Sequence, residues 1–434
     1  MNLSEDQILA LAPDDASRKS GKDLANPAKW VSKGADTSAL WGECQGSGSK
    51  PYQTQIDLGN LAFKCSCPSR KFPCKHGLGL LLLKARHSKS FTDTQAPTWV
   101  SEWLTRRTEK GEKKTEKKDK PVDEAAQAKR QQARQQKVAD GLEELLRWIK
   151  DIVRNGMLNL PEKGPAFWEN MAKRMIDAQA PGLAAQIKSL GELNFYTEGW
   201  QTRCLDGLLK IYLVIQGYKN IDTLSTELQQ DIKSLIGFPQ NLDELKAQPG
   251  VSDQWFVLAK QVSEEEQLMV ERNWLYGLDS RRYALILQFY VRSQSPAMSL
   301  TPGLLTDATL VFYHSAFPLR ALVKEQRSTK KPAHPPEGYS SWTAVLDNAT
   351  AGNSRYPFAD DWPCIVRELK PVGFNNEWWL QDAEKNSMPI SRNYGAIWNL
   401  LAFSGGKPVQ ISLIGKEKEY EPLGVWYNNE YKML

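Results

Sequence analysis

Residues 63–83 read FKCSCPSRKFPCKHGLGLLLL, and this stretch determines how the N-terminal part of the chain is organised. It contains Cys65, Cys67, Cys74 and His76, spaced as C-x-C, six residues, then C-x-H. Three thiols and one imidazole are the ligands of a closed tetrahedral zinc site. Prolines on either side of the six-residue connection restrict its conformations, so less entropy is lost when a metal closes the loop. The spacing therefore predicts one Zn²⁺ bound by these four side chains.

The residues on either side of this stretch predict a small strand–strand–helix unit. Tyr52, Thr54, Ile56 and Leu58 alternate with polar residues, as in a half-buried strand, and a second strand is predicted over residues 62–64 after a Gly-Asn turn. Residues 77–86 are mostly apolar and predict a helix that begins at the histidine. The metal ligands would then lie at the end of the hairpin and at the start of the helix.

This combination of ligand spacing and elements resembles the SWIM zinc finger, and all four ligand positions match its pattern. Together with the upstream sequence WGECQGSGSKPY at residues 41–52, it is similar to the bacterial stand-alone members. The resemblance implies zinc binding and an interaction role with DNA or protein, and it assigns no catalytic residue. Bacterial proteins of this layout are often encoded beside a MoxR-type AAA+ ATPase and a von Willebrand A-domain protein, which the resemblance suggests as partners.

Three other interpretations of the cysteines remain open at this point. They could be ordinary reduced cysteines, or the C-x-C pair could be a redox pair. An iron–sulfur cluster usually requires four cysteines, and Cys44 could supply the fourth. Zinc is the interpretation that the spacing favours.

Composition describes an ordinary globular protein. The chain has 434 residues, of which 41% are hydrophobic and 25% charged, and this length accommodates two or three domains. Six cysteines in such a length do not form a disulfide framework, which favours a reducing compartment. The N-terminus lacks a signal-peptide profile, and no apolar run is long enough to span a membrane. We therefore expect a cytoplasmic protein with no membrane partner.

The net charge of +5 is unevenly distributed. Residues 61–90 contain seven basic residues and no acidic one, so we expect the finger to carry a positive field. The alternative is that these charges only balance the thiolates and keep the module soluble. If the partner is a nucleic acid, the candidate contacts are the basic residues closest to the metal ligands: Lys64, Arg70, Lys71 and Lys75.

Beyond the finger, the patterns predict an α+β chain with distinct regions. Leu142, Leu145, Leu146, Ile149, Ile152 and Val153 form an apolar stripe at helical spacing, whereas residues 308–313 and the alternating Val409, Ile411 and Leu413 predict strands. Residues 404–407, Ser-Gly-Gly-Lys, are interpreted as a hairpin turn. The predicted division is an N-terminal helical extension (1–40), the zinc finger (41–90), a charged basic linker or solvated helix (105–137), a mostly α domain (138–300) and a β-rich C-terminal domain (301–434).

Motifs typical of enzymes are missing from the sequence. It has no Gly-rich phosphate loop and no nucleophile elbow, and a metal with four protein ligands has no open position for a substrate. We therefore expect a protein that is not an enzyme, and no small-molecule substrate is identified. Two functions are compatible with these observations: a zinc-stabilised module that binds nucleic acid, DNA above all, and a scaffold for protein–protein interaction.

Overall fold

The structure is a computed structural model of the whole chain. It describes residues 5–434 apart from 47–49, 60, 70, 94, 114–123, 266–267, 292–295, 297, 417 and 429. The side chains of residues 6, 10, 93, 108–113, 124–128, 130 and 131 also lie outside the description.

The N-terminal module is a five-stranded sheet with helices on both faces. Its elements are α1 (Glu5–Ala10), α2 (Asp15–Leu24), β1 (Trp30–Ala35), β2 (Ala39–Cys44), β3 (Tyr52–Asp57), β4 (Ala62–Cys65), α3 (Lys75–Arg86), β5 (Thr92–Asp93) and α4 (Thr98–Lys113). The strand order is β4-β3-β2-β1-β5, and only the β1–β5 pair is parallel. Helix α3 packs on one face over Leu40, Ile56 and Phe63. Helix α4 packs on the other face, where Val100 meets Trp41.

The predicted strand–strand–helix unit is confirmed as β3, β4 and α3, but the sheet is larger than predicted. The predicted N-terminal helical extension (1–40) contains α1 and α2, but β1 and the start of β2 also lie within it. The Trp30 indole donates a hydrogen bond to the Leu24 carbonyl at 2.8 Å and lies over Gly42, where an added Cβ would be 2.8 Å from the ring. This packing joins the first helices to the sheet, and no short sequence window reveals it.

The middle of the chain is helical, as predicted, up to residue 247. Its helices are α5 (Glu124–Asn155), α6 (Gly164–Asp177), α7 (Pro181–Gly191), α8 (Trp200–Lys219), α9 (Thr226–Ile236) and α10 (Leu242–Ala247). The predicted stripe on α5 is buried in the core of this bundle, except that Val153 is 55% exposed. The predicted linker or solvated helix is helical over residues 105–113 and 124–137, and its remaining residues lie outside the description.

The next five strands close into a barrel. They are β6 (Val251–Glu265), β7 (Leu268–Gly277), β8 (Tyr283–Val291), β9 (Leu305–Phe312) and β10 (Arg320–Lys330). The order is β10-β8-β7-β6-β9 with β9 paired to β10, and only β8 and β10 run parallel. This is a five-stranded Greek-key barrel, the architecture of the OB-fold.

Three of these strands contradict the prediction of a mostly α domain up to residue 300. The reason lies in β6, whose sequence Trp255-Phe256-Val257-Leu258 is a continuous apolar run without the alternation that signals a strand. Trp255 and Val257 point into the barrel, while Phe256 and Leu258 pack outward against the C-terminal sheet. A strand that is buried on both faces loses its period of two.

The C-terminal region is β-rich, as predicted. It comprises α11 (Trp342–Arg355), β11 (Asp361–Phe374), β12 (Glu377–Gln381), β13 (Ser387–Pro389), α12 (Ile397–Ser404), β14 (Val409–Lys416), β15 (Glu419–Tyr427) and β16 (Glu430–Met433). The strands form an antiparallel sheet in the order β13-β12-β11-β14-β15-β16. The hairpin predicted at residues 404–407 is wrong, because Gly405, with φ at 57°, caps the C-terminus of α12 instead. The chain as a whole is α+β, and no helix in its described part is long and apolar enough to cross a membrane.

Candidate metal centre

The four predicted ligands converge on one point. Cys65 is the last residue of β4, Cys67 follows two residues later, Cys74 is the N-cap of α3 and His76 lies in the first turn of that helix. One ligand atom from each of the four residues lies within 4.8 Å of every other. The fold therefore gathers the side chains that the spacing predicted, from the end of a hairpin and the start of a helix.

The distances within the cluster fit a tetrahedral metal. The Nδ1 atom of His76 lies 3.7 Å from the Cys65 sulfur and 4.0 Å from the Cys74 sulfur. A zinc ion bound tetrahedrally to sulfur and nitrogen would place those atoms about 3.6 Å apart, from its usual bond lengths. The donor set and its spacing thus fit zinc, with Nδ1 as the histidine ligand.

Neighbouring groups hold the ligands in place. The Thr54 hydroxyl lies 3.2 Å from the Cys65 sulfur, directly across the β3–β4 pair, and the Gly77 amide donates to the Cys74 sulfur at 3.5 Å. The Tyr52 ring packs against the imidazole of His76, with ring centroids 5.0 Å apart. Such partners orient metal ligands and restrict their rotamers. The alternation that predicted β3 places Tyr52 and Thr54 on the face that carries Cys65, but it does not indicate that they support the ligands.

The three thiols perturb one another because their sulfurs lie so close together. Hydrogen bonds from Cys65 and then Cys74 lower the pKa of Cys67. The hydrogen bond with Cys67 is the main cause that raises the pKa of Cys65. The hydrogen bond with Cys65 is the main cause that raises the pKa of Cys74. Three sulfurs so close together cannot all be thiolates unless a cation balances their charge.

Cys44, the alternative fourth thiol, does not join the cluster. It is fully buried in the sheet, and burial raises its pKa to about 11. The cluster of potential ligands in the described chain comprises three cysteines and one histidine, which differs from the four cysteines typical of an iron–sulfur centre.

Three of the four basic residues proposed to contact nucleic acid are described by the structure, and Lys64 lies apart from Lys71 and Lys75. Lys75 is the exposed first residue of α3, next to two ligands, and Lys71 is exposed in the metal-binding loop. The Lys71 ammonium lies 2.5 Å from the carboxylate of Asp14, whose pKa it lowers to about 2. Lys64 is exposed but lies on the sheet face opposite Cys65, since successive strand residues alternate. Arg70 lies outside the described residues.

Comparison with known proteins agrees with this geometry. The family model of the SWIM zinc finger matches residues 52–85, which span β3, β4, the ligand loop and most of α3. The model of the SWIM-associated four-helix bundle domain matches residues 133–236, from within α5 to the end of α9. No curated protein and no solved structure matches the chain. The chain thus carries a SWIM zinc finger followed by the four-helix bundle domain that is associated with it.

Proposed function

We propose that the zinc-stabilised finger binds nucleic acid, and DNA in particular. The observation that supports this most directly is the exposure of Lys75 beside the metal ligands, within a segment (61–90) that has no acidic residue. Lys71 is exposed in the same loop and pairs with Asp14, which lies outside that segment. With four protein ligands the metal would be structural, because no coordination position is left for water or a substrate. The proposed role is therefore binding and not catalysis.

The start of α3 has suitable electrostatics for a phosphate contact. Its first turn contains no acidic residue, and Lys75 is its first residue. Three thiolates and one Zn²⁺ would leave a net charge of about −1 at this helix end, which offsets the helix dipole, so the Lys75 ammonium supplies the positive charge for a phosphate. Contacts of this kind position a protein on the phosphate backbone without reading base sequence. We therefore expect binding with little sequence preference.

The barrel contributes little to this proposal. Proteins with the OB-fold architecture bind oligonucleotides on the face of their second and third strands. In this chain the corresponding strands are β7 and β8, and the outward-facing Trp274 and Tyr276 are buried against Ile414 and Leu423 of the C-terminal sheet. These aromatic rings are therefore not available for stacking with bases.

A titration of the full-length protein tests the proposal. Fluorescence anisotropy with labelled mixed-sequence duplex and single-stranded DNA would be measured at several salt concentrations for the wild type and for Lys71→Ala/Lys75→Ala. Each lost phosphate contact should reduce the slope of log K against log salt by about 0.9 for duplex DNA or about 0.7 for a single strand. Lys188→Ala is the control, since Lys188 is exposed on α7. An unchanged slope in a double variant that keeps its zinc would refute the proposal.

A second candidate function, a protein-interaction scaffold, is favoured by one surface of the bundle. Leu205, Leu209 and Leu213 lie four residues apart along α8 and are 37%, 48% and 46% exposed. A ridge with this spacing matches the groove of another helix, and exposed apolar patches commonly mark protein interfaces. An AAA+ ATPase or a von Willebrand A-domain protein, suggested by the family resemblance, would be the partner to test here.

The scaffold function is tested by partner capture with the full-length protein and its variants. A partner bound through the leucines should be lost in Leu209→Glu and retained in Val153→Glu, a matched change at a 55% exposed position on α5. Binding of this partner should also persist after nuclease treatment and in the Lys71→Ala/Lys75→Ala variant. Loss of the partner on nuclease treatment would instead favour binding through nucleic acid.

A further inference from the structure

A large cleft lies in the helical bundle, next to the end of barrel strand β9. Its volume is about 1080 Å³, and its walls come from α5, α9 and α10, with His314 just after β9. Pockets that bind ligands combine an apolar floor with a few polar groups that converge on it, and they often lie at domain interfaces. The cleft has this composition, and it is separate from the zinc finger.

Cations outnumber anions in the lining of the cleft. Arg134 and Lys137 are three residues apart on α5 and so share a face of that helix, and Lys233 faces them from α9. Neither lysine forms an ion pair with another residue in the described part of the chain. The one acidic residue in the lining is Glu244, which accepts a hydrogen bond from Asn241 at 2.6 Å. The cleft therefore carries an excess of positive charge that favours an anion.

Arg134 is fixed in place but not fully satisfied. It donates from Nη2 to the carbonyl of Gly237 at 3.2 Å, and its guanidinium lies 4.5 Å from the centre of the Phe238 ring. Phe238 in turn stacks on Tyr218, with centroids 6.3 Å apart and ring planes 18° from parallel. The Nε of Arg134 is buried and has no acceptor among the described residues. A buried unpaired donor is unfavourable, and a ligand in the cleft would reach this Nε only if the Arg134 side chain moved.

Amide side chains supply further hydrogen-bonding groups. The lining includes Gln135, Gln179, Gln230, Gln240 and Gln248. Gln230 and Lys233 are three residues apart on α9, so both project from the same face of the helix. Phosphate oxygens accept hydrogen bonds from Arg, Lys and amide N–H groups, which are the donors found here.

We propose that this cleft binds a phosphate-bearing ligand. Such a group could belong to a free nucleotide or to the phosphodiester chain of a single-stranded nucleic acid. Three cations and several amide donors would contact the phosphates, while Phe238 and Tyr218 form the apolar floor. The site is independent of the function proposed for the finger, because none of its residues belongs to the finger.

The test uses the full-length protein and two probes, adenosine triphosphate and a fluorescein-labelled ten-nucleotide oligothymidylate. Binding is measured by calorimetry and by anisotropy for the wild type, Lys137→Glu/Lys233→Glu and Lys188→Glu. The double change should weaken binding at least tenfold, while Lys188→Glu, an exposed residue outside the cleft, should leave it unchanged. Circular dichroism confirms that the variants keep their helical content.

The probes distinguish the two sources of phosphate. If the nucleotide binds and the oligonucleotide does not, the ligand is a free nucleotide; binding of the oligonucleotide alone indicates a phosphodiester chain. Mutual displacement of the two probes shows that the cleft accepts phosphate from both sources. The Lys71→Ala/Lys75→Ala variant is included because the oligonucleotide could also bind the finger, and cleft binding should survive that change. Absence of binding by both probes at millimolar concentration, or equal binding by the wild type and Lys137→Glu/Lys233→Glu, would overturn the proposal.

Discussion

Cys74 has two structural roles that a pair of substitutions can separate. Its sulfur is one of the four candidate metal ligands, and the same sulfur caps α3 by accepting a hydrogen bond from the Gly77 amide at 3.5 Å. Its backbone is extended, with φ at −72° and ψ at 166°, as an N-cap requires. Serine would keep an acceptor at this position, whereas alanine would remove both the ligand and the cap.

The two roles differ greatly in energy. An N-cap side chain stabilises a helix by about 1 kcal/mol relative to alanine. Zinc binding to small modules of this type has an apparent free energy of about 10–16 kcal/mol, most of which appears as folding stability. Without zinc, Cys74→Ser should therefore be more stable than Cys74→Ala by about 1 kcal/mol. With zinc, the wild type should be far more stable than either variant.

Two measurements check these values. Elemental analysis gives the zinc content of each variant, and hydrogen exchange of peptides within residues 52–85 reports local opening with and without a chelator. A difference of 1 kcal/mol corresponds to an opening equilibrium that differs about fivefold between the serine and alanine variants. Cys44→Ala is the control, because that thiol lies outside the ligand cluster and its loss should leave one zinc per chain.

Two results would refute this reasoning. If Cys74→Ser retains one tightly bound zinc per chain, Cys74 is not a ligand. If the serine and alanine variants open equally in the chelated state, the sulfur does not act as a cap. Either result would require a different account of how α3 begins.

Three further predictions concern the packing, the charge and the metal of the chain. Gly79→Val should destabilise the N-terminal module by about 1–3 kcal/mol, because the added Cβ would lie 2.7 Å from the Leu24 Cβ and overpack the α2–α3 contact. Urea unfolding measures this loss, and Gly395→Val is the control because no atom lies within 4 Å of a Cβ added at Gly395. Burial raises the pKa of Asp231, whose carboxylate accepts from the Ala316 amide at 2.8 Å. The contribution of protonated Asp231 to stability is therefore fully present below the unfolded pKa of about 3.9 and is lost as pH rises through the folded pKa. The free energy of unfolding of the wild type, relative to that of Asp231→Asn, should fall as pH rises from about 4. A difference between the two proteins that stays constant with pH in urea unfolding would contradict this. A strong chelator should speed hydrogen exchange in residues 62–86 and leave the α5–α9 core protected, whereas uniform loss of protection would mean that the finger and the bundle share one folding unit.

The metal site could be predicted because its information is local. Cys65 and Cys74 are only nine residues apart, and the ligand spacing alone restricts the ion that can bind. The apolar stripe on α5 was predictable for the same reason, since a period of 3.6 is visible in any window of the helix. The exception, Val153, lies near the C-terminal end of α5, and only the tertiary packing determines its exposure.

Other features depend on contacts between distant residues. The association of α2 with α3 requires close approach at Gly21 and Gly79, which are 58 residues apart. In the sequence alone, a glycine that permits helix packing looks the same as one that only weakens a helix. Likewise, β6 lacks the alternation of apolar and polar residues because the C-terminal sheet covers its outer face. The ring centroids of Phe256 and Trp426 are 5.6 Å apart in this contact. Local patterns indicate where an apolar residue is, but they do not indicate how many of its sides another element will cover.

The position of the metal connects zinc binding to the proposed finger surface but not to the cleft. The four candidate ligands lie at the end of β4 and the start of α3, so a bound ion would fix the helix end that presents Lys75. The cleft residues belong to the helical bundle and to the segments next to the barrel strands, and none of them is one of the four ligands. Chelation should therefore weaken nucleic-acid binding by the finger and leave phosphate binding in the cleft intact. Anisotropy measured with and without chelator on the two lysine double variants would resolve the two contributions, and equal losses in both would show that they form one site.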